Sequence, residues 1–317
     1  QELKRMFRIC HKKALEKTDR LTYQAMESFV YDLNTMKSRA GAQIPFSCIN
    51  FGTDLSKEGR MVSKNLLKVM EAGIGNDKSS IFPVCIFKIK EGVNYCPNDP
   101  NYDLLELACR VSMQKQYPSF AFLDATFNRQ FYQKGNEQTE VAYMSDGLRV
   151  MDNFVDHNKA ICTGRGNLSY TSINLPRLGI KHGMISADKV NLTAFFAELE
   201  EKLDLVKDQL LERFEIQCKK SLCNFPFLLG QGVWLDSEKL KENDNLKKIA
   251  KQGTLSIGFV GLAECLKALT GKHHGESEEA QKLGIKIIKT MRKKCDEYSE
   301  KYNLNFTLIG TGEEEIA

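Results

Sequence analysis

The feature that most restricts this 317-residue chain is a change of hydrophobic period that recurs along it. Short apolar runs bounded by turn residues alternate with longer stretches whose apolar positions fall three and four apart. Such alternation builds β–α units and favours a mainly parallel sheet or barrel. The strand-like runs are Pro45–Phe51, Ile81–Ile89 (with Pro83 confining its start to an edge), Phe120–Leu123, Leu255–Val260 and Asn305–Ile309. Helical spacing covers Gln1–Lys37, Gly59–Ala72 and Asp103–Gln116. It returns in two stripes, Phe196-Leu199-Leu203-Val206-Leu210 and Ala280-Leu283-Ile287-Met291-Tyr298. Residues 128–174 differ, with Gly, Asn and Asp clusters and short strand candidates at Val141–Met144 and Leu168–Ile173, which a turn at Gly164–Asn167 would join as a hairpin. Residues 236–251 carry dense charge of both signs and read as a solvated helix face. No linker or fixed-period repeat divides the chain, so one α/β domain over 1–317 is expected.

Composition narrows the function classes. Forty-five basic residues against 41 acidic give a net charge of +4, and no basic stripe concentrates it, so neither nucleic acid nor an anionic membrane is implied. No apolar run reaches the roughly 18–20 residues that span a bilayer, and the charged N-terminal stretch is not a secretory signal. The 10 cysteines are scattered without a CxxC pair, as expected of reduced cytoplasmic thiols buried as small hydrophobes. His273-His274-Gly275-Glu276 lacks a third ligand at helical spacing and reads as a polar loop before a helix near Ser277, so no metal site is expected. Ser38-Arg39-Ala40-Gly41-Ala42-Gln43, between a helix and a strand, either presents an arginine to a nucleotide phosphate or is a helix C-cap followed by a solvated arginine.

Longer segments carry a resemblance. Gln24–Phe46, Ser47–Asp54 (Ser-Cys-Ile-Asn-Phe-Gly-Thr-Asp), Ile81–Asn94, Asp99–Leu104 with Ala108–Val111, Thr139–Met144, Gly164–Arg177 (Gly-Arg-Gly-Asn-Leu-Ser-Tyr-Thr-Ser-Ile-Asn-Leu-Pro-Arg) and Ala268–Ser277 run in one order. Together they resemble the anaerobic, class III ribonucleoside-triphosphate reductases. The resemblance implies part of a ten-stranded α/β barrel of the glycyl-radical type. It also implies reduction of ribonucleoside triphosphates to deoxyribonucleotides in the cytoplasm, with a cysteine thiyl radical on a loop inside the barrel and formate as reductant. Full-length members imply a homodimer, a zinc site, a glycyl radical and an S-adenosylmethionine-dependent activating protein. Those segments would lie outside this stretch, so no cofactor is expected on these residues themselves.

Carried over position by position, Met144 matches the methionine beside the thiyl cysteine. Asn167 matches the asparagine that bonds the ribose hydroxyls, with Arg165 and Gly166 beside the substrate. The family reads Met-Gly-Cys-Arg-Thr-Arg-Val where this chain reads Met144-Ser-Asp-Gly-Leu-Arg-Val150, so Asp146 stands at the cysteine position. A carboxyl O–H is too strong for reversible hydrogen-atom exchange. Two expectations follow: this chain alone does not turn over, or, as an alternative, it is a silent nucleotide-binding module or reductase partner. Cys162, two residues before Gly164, is the fallback sulfur.

Overall fold

A computed structural model describes residues 1–37, 44–75, 78–144, 148–183, 190–241 and 244–311. The chain divides into two compact units, Gln1–Lys134 with Glu140–Arg149, and Gly135–Thr139 with Val150–Ala317.

In the first unit, strands β1 (Cys48–Phe51), β2 (Val84–Ile89) and β3 (Ser119–Phe122) pair parallel in that order, with helices α1 (Glu2–Thr35), α2 (Lys57–Ala72), α3 (Tyr102–Lys115) and the single turn α4 (Thr126–Arg129). Period-2 alternation decides what each sheet face meets. Ile49, Phe51, Cys85, Phe87, Ile89 and Phe120 pack against Leu66, Leu67, Met70, Leu104 and Val111 of α2 and α3. Cys48, Asn50, Ile86 and Lys88 stand on the opposite face. Ser56 caps α2 by accepting the Gly59 N–H. The long helix α1 follows the predicted span, but Met6, Cys10 and Ala14 of its expected apolar stripe are exposed, and Val30 is its one buried residue among those described.

The second unit holds β4 (Asn167–Asn174), α5 (Leu175–His182), α6 (Leu192–Cys218), the single turn α7 (Lys247–Ala250), β5 (Thr254–Val260), α8 (Leu262–Thr270), α9 (Glu278–Tyr302) and β6 (Asn305–Gly310). Its strands are parallel in the order β4-β5-β6. Leu255, Ile257 and Phe306 meet Leu199, Leu203, Leu210, Leu266, Ile287 and Met291 in one apolar core. Ser277 caps α9 as its sequence implied. The parallel α/β class is therefore what the structure has; the five strand-like runs each overlap a strand, whereas Val141–Met144 makes only an isolated bridge at Tyr143.

Three expectations change. Leu168–Ile173 is not one arm of a hairpin with Val141–Met144: it is the parallel edge strand β4, because its backbone partners are on β5. The described residues of 236–251 form no long helix; they make one 3-10 turn and α7, since Leu246 and Ile249 are buried with Trp234 and interrupt the charged pattern. The cysteines are all free, yet Cys10, Cys96, Cys109 and Cys223 are exposed. Burial pushes the thiols of Cys85, Cys265 and Cys295 up to about 12 and that of Cys218 to about 11, so these four stay protonated packing groups.

Candidate functional site

In the first unit the site residues lie on a segment, Glu140–Arg149, that crosses the sheet face opposite the helices. Tyr143 and Arg149 form an antiparallel bridge, and the Met144 N–H donates to the Leu148 carbonyl at 2.7 Å. Met144 thus pairs with Leu148 one step beyond that bridge. Its neighbours 145–147, and with them Asp146, lie outside the described residues.

Side-chain contacts hold this segment to the sheet and to α4. Asn50 of β1 accepts the Tyr143 N–H at 2.9 Å and donates to the Tyr143 carbonyl at 2.8 Å, so one amide imitates a neighbouring strand. The Cys48 thiol approaches the same carbonyl at 3.3 Å. Buried Asn128 exchanges hydrogen bonds with the Tyr143 hydroxyl and accepts from Arg149, whose guanidinium also donates to the Phe127 carbonyl and lies over the Phe127 ring. Glu140 accepts from Lys88 at 2.5 Å and Lys90 at 2.9 Å. Burial alone would raise the Glu140 carboxyl, but the hydrogen bonds and charges of the two lysines outweigh it and hold the group below the usual carboxylate range. Asn50, Asn128, Lys88 and Glu140 were not singled out by sequence. The period-2 position of two lysines and an asparagine on strands is the signal that could have found them, since that face needs polar partners.

In the second unit Asn167 opens β4, and a bulge decides where it points. Asn167 pairs with Thr254 and Ser169 with Leu255, leaving Leu168 as the extra residue. Without it Asn167 would share the parity of Ser169, Thr171 and Ile173, which is the helix side. The bulge turns it to the other face, where the buried Ser256 hydroxyl donates to its Oδ1 at 3.0 Å. Its Nδ2 makes no hydrogen bond among the described residues and remains available to a ligand oxygen. Leu168 fits over Gly253, where a Cβ would fall 2.6 Å from the leucine Cγ.

Arg165 is 7% exposed, and its guanidinium is engaged with the protein itself. Nε donates to the Gln252 carbonyl at 2.8 Å, Nη1 to Ile161 at 3.1 Å and Nη2 to Asp152 at 2.9 Å. Burial pushes it down to about 10, which still leaves it charged at neutral pH. Around it, buried Asn153 donates to Gln252 Oε1 and the Lys159 carbonyl, and buried Asn305 donates to Asn153 and to the carbonyls of Lys251 and Gly253. This network ties the 150–161 loop to the starts of β5 and β6 and fixes the approach to β4. Gly166 offers its carbonyl to Thr254, and Gly164, at φ 68°, lets its own carbonyl accept from Leu235. Cys162 is half-buried nearby, its N–H on the Gln138 carbonyl.

Met144 and Asn167 belong to different units. Of the expected nucleotide loop, Ser38, Arg39, Gly41 and Gln43 lie outside the described residues. His273 accepts the Gly275 N–H on Nδ1, as a loop residue does, and no group of three or more His, Cys, Asp or Glu that could hold a metal occurs among the described residues. The zinc site of the resembled family does not fit these residues. No described helix is long and apolar enough to cross a membrane.

Comparison with known proteins bears on both units. The profile of the family described as "Anaerobic ribonucleoside-triphosphate reductase" matches residues 4–317. A Salmonella typhimurium protein of that name is 30% identical over 96% of this chain and 41% of its own length. One from Enterobacteria phage T4 is 28% identical over 96% of this chain and 47% of its own. Among solved structures, an anaerobic ribonucleotide reductase superposes with a TM-score of 0.60 at 14% identity, covering 92% of this chain and 43% of the other. The Thermotoga maritima enzyme with dATP bound in its specificity site gives 0.57 at 14%, covering 94% and 48%. At that identity the structural likeness speaks for the fold alone. The chain spans less than half the length of these relatives, and it belongs to the anaerobic ribonucleoside-triphosphate reductase family.

Proposed function

We propose that this chain is one barrel domain of a cytoplasmic anaerobic ribonucleoside-triphosphate reductase, and that ribonucleoside triphosphates are its substrates. The observation that carries the reading is the family match, which runs through both units without a break from residue 4 to 317. The geometry supports it locally. Asn167 presents an amide N–H from a half-buried, bulge-set position, which suits a ribose hydroxyl. Arg165 and Gly166 fix the strand entry that holds Asn167, and Met144 lies beside the anchored Tyr143–Arg149 bridge. Ser38, Arg39, Gly41 and Gln43 are proposed to meet the nucleotide phosphates.

Reduction in this family draws a one-electron sulfur species from a glycyl radical, which an activating protein installs, and uses formate. In this chain Asp146 occupies the sulfur's position, so its own residues bind and orient the sugar while the assembled homodimeric enzyme supplies the rest. The silent-module alternative, which rests on Asp146 alone, is not favoured, since the similar proteins carry the reductase name.

The experiment supplies the activating protein, S-adenosylmethionine, a radical-bearing C-terminal segment and formate to the natural chain and to Asp146→Cys. It measures ribonucleotide binding and deoxynucleotide formation. Both proteins should bind ribonucleoside triphosphate more tightly than the Asn167→Ala variant does, by roughly 1–3 kcal/mol, and product should come from the cysteine variant only. Absence of nucleotide binding would refute the substrate reading; product from the natural chain would refute the role given to Asp146 and direct attention to Cys162.

A further inference from the structure

At the opposite end of β4 from Asn167, a cleft of about 570 Å³ opens between α5 and α6. The carboxyl end of a parallel strand is where α/β folds place ligands, and the volume is that of a small-molecule site. Its charge is unbalanced. Arg177, Lys181 and Lys202 line it with one carboxylate, Glu198.

Glu198 is already engaged, accepting from Lys181 at 2.8 Å and lying 2.6 Å from His182 Nε2. The hydrogen bonds from these two groups hold its carboxyl below the usual range. The Asn191 N–H bonds the His182 carbonyl, so α5 runs into α6 as an antiparallel pair. One turn back on α5 from Lys181 is Arg177; one turn forward on α6 from Glu198 is Lys202. Where the first level holds an ion pair, the second therefore sets two cations on facing helices. Neither has an acidic partner among the described residues. Like charges at such a contact are destabilising unless an anion lies between them. Leu178 and Leu205 add apolar wall.

We propose that this cleft binds a phosphorylated small molecule of nucleotide size, its phosphate between Arg177 and Lys202 and its apolar or planar part against Leu178 and Leu205. The guanidinium supplies a planar fork for phosphate oxygens and the ammonium a point charge. The inference does not depend on the reductase reading: seven residues of strand put Asn167 about 20 Å away.

The test is calorimetric titration of the chain with ATP and with pyrophosphate at low salt, alongside Arg177→Gln, Lys202→Gln and Asn167→Ala. ATP should bind more tightly than pyrophosphate, and each glutamine variant should weaken both by about tenfold or more, as loss of one charge-assisted hydrogen bond requires. Pyrophosphate binding should be indifferent to Asn167→Ala. A second variant, Arg177→Glu, converts the facing cations into an ion pair; it should raise the melting temperature in phosphate-free buffer and abolish the stabilisation that pyrophosphate gives the natural chain. The proposal is overturned if neither ligand binds at millimolar concentration, if binding survives both glutamine variants, if Asn167→Ala removes pyrophosphate binding, or if ATP binds no better than pyrophosphate.

Discussion

Replacing Arg165 with alanine separates two roles for an arginine beside a candidate ribose site. Its three donors end on backbone carbonyls, and one of these bonds, to Gln252, is fully buried. A hydrogen bond from a charged donor contributes about 1.5–3 kcal/mol when its partner cannot find water. The carbonyls of Ile161 and Asp152 belong to loops that water can reach, so each is worth about 0.5–1.5 kcal/mol. Together the loss comes to about 2.5–6 kcal/mol, a large share of the 5–15 kcal/mol typical of a domain. Arg165→Lys should recover only part of it, because an ammonium cannot reach three diverging carbonyls in the plane of a guanidinium. Urea unfolding of the natural chain and both variants measures the loss, and amide exchange in 150–166 shows where it is felt. The reasoning fails if Arg165→Ala costs under about 1 kcal/mol while ribonucleotide binding disappears, since the guanidinium would then be serving ligand and not backbone.

Other expectations follow from single contacts. Glu140 has a folded-state pKa below its ordinary 4.5, so the unfolded chain takes up the proton first as pH falls. Its stabilising contribution is complete above that ordinary value and is lost as pH drops through the lower folded value; Glu140→Gln should flatten this acid limb in a pH series of denaturation curves. Gly253→Ala puts a Cβ 2.6 Å from Leu168 Cγ; it should cost about 1–3 kcal/mol and weaken nucleoside binding as the bulge that aims Asn167 shifts, read by unfolding and titration together. Gly179→Ala would place its Cβ 2.8 Å from the Cys265 carbonyl oxygen. No rotamer relieves a clash with backbone, so α5 and α8 must part and the melting temperature should fall by several degrees, with ribonucleotide affinity at Asn167 little changed.

Sequence patterning located the strands well because each is a concentrated apolar run between turn residues, as Leu255–Val260 shows. It overlooked α5 and α8, which are too short to display a full helical stripe; in α5, Pro176 also reads as a breaker although it stands at the permissive first turn. It placed Phe196 on the buried stripe of α6, where the structure buries Phe195 and leaves Phe196 partly exposed. The family words led to Met144 and Asn167, but not to what orients them. The bulge at Leu168 leaves no mark on hydrophobic period, and Asn50, Ser256 and Asn153 act through partners 89 to 152 residues away. Arg165 is placed beside the substrate by the resemblance, and the three carbonyls that hold its guanidinium leave no trace in the sequence.

The segment that carries Met144 is held by side chains of the sheet and of α4. Glu140 leans on Lys88 and Lys90, Tyr143 on Asn50 and Asn128, and Arg149 on Asn128 and the Phe127 carbonyl. None of these supports involves residues 145–147. Substitution within that stretch therefore leaves every support named here in place, as a lathe changes bits in a fixed chuck.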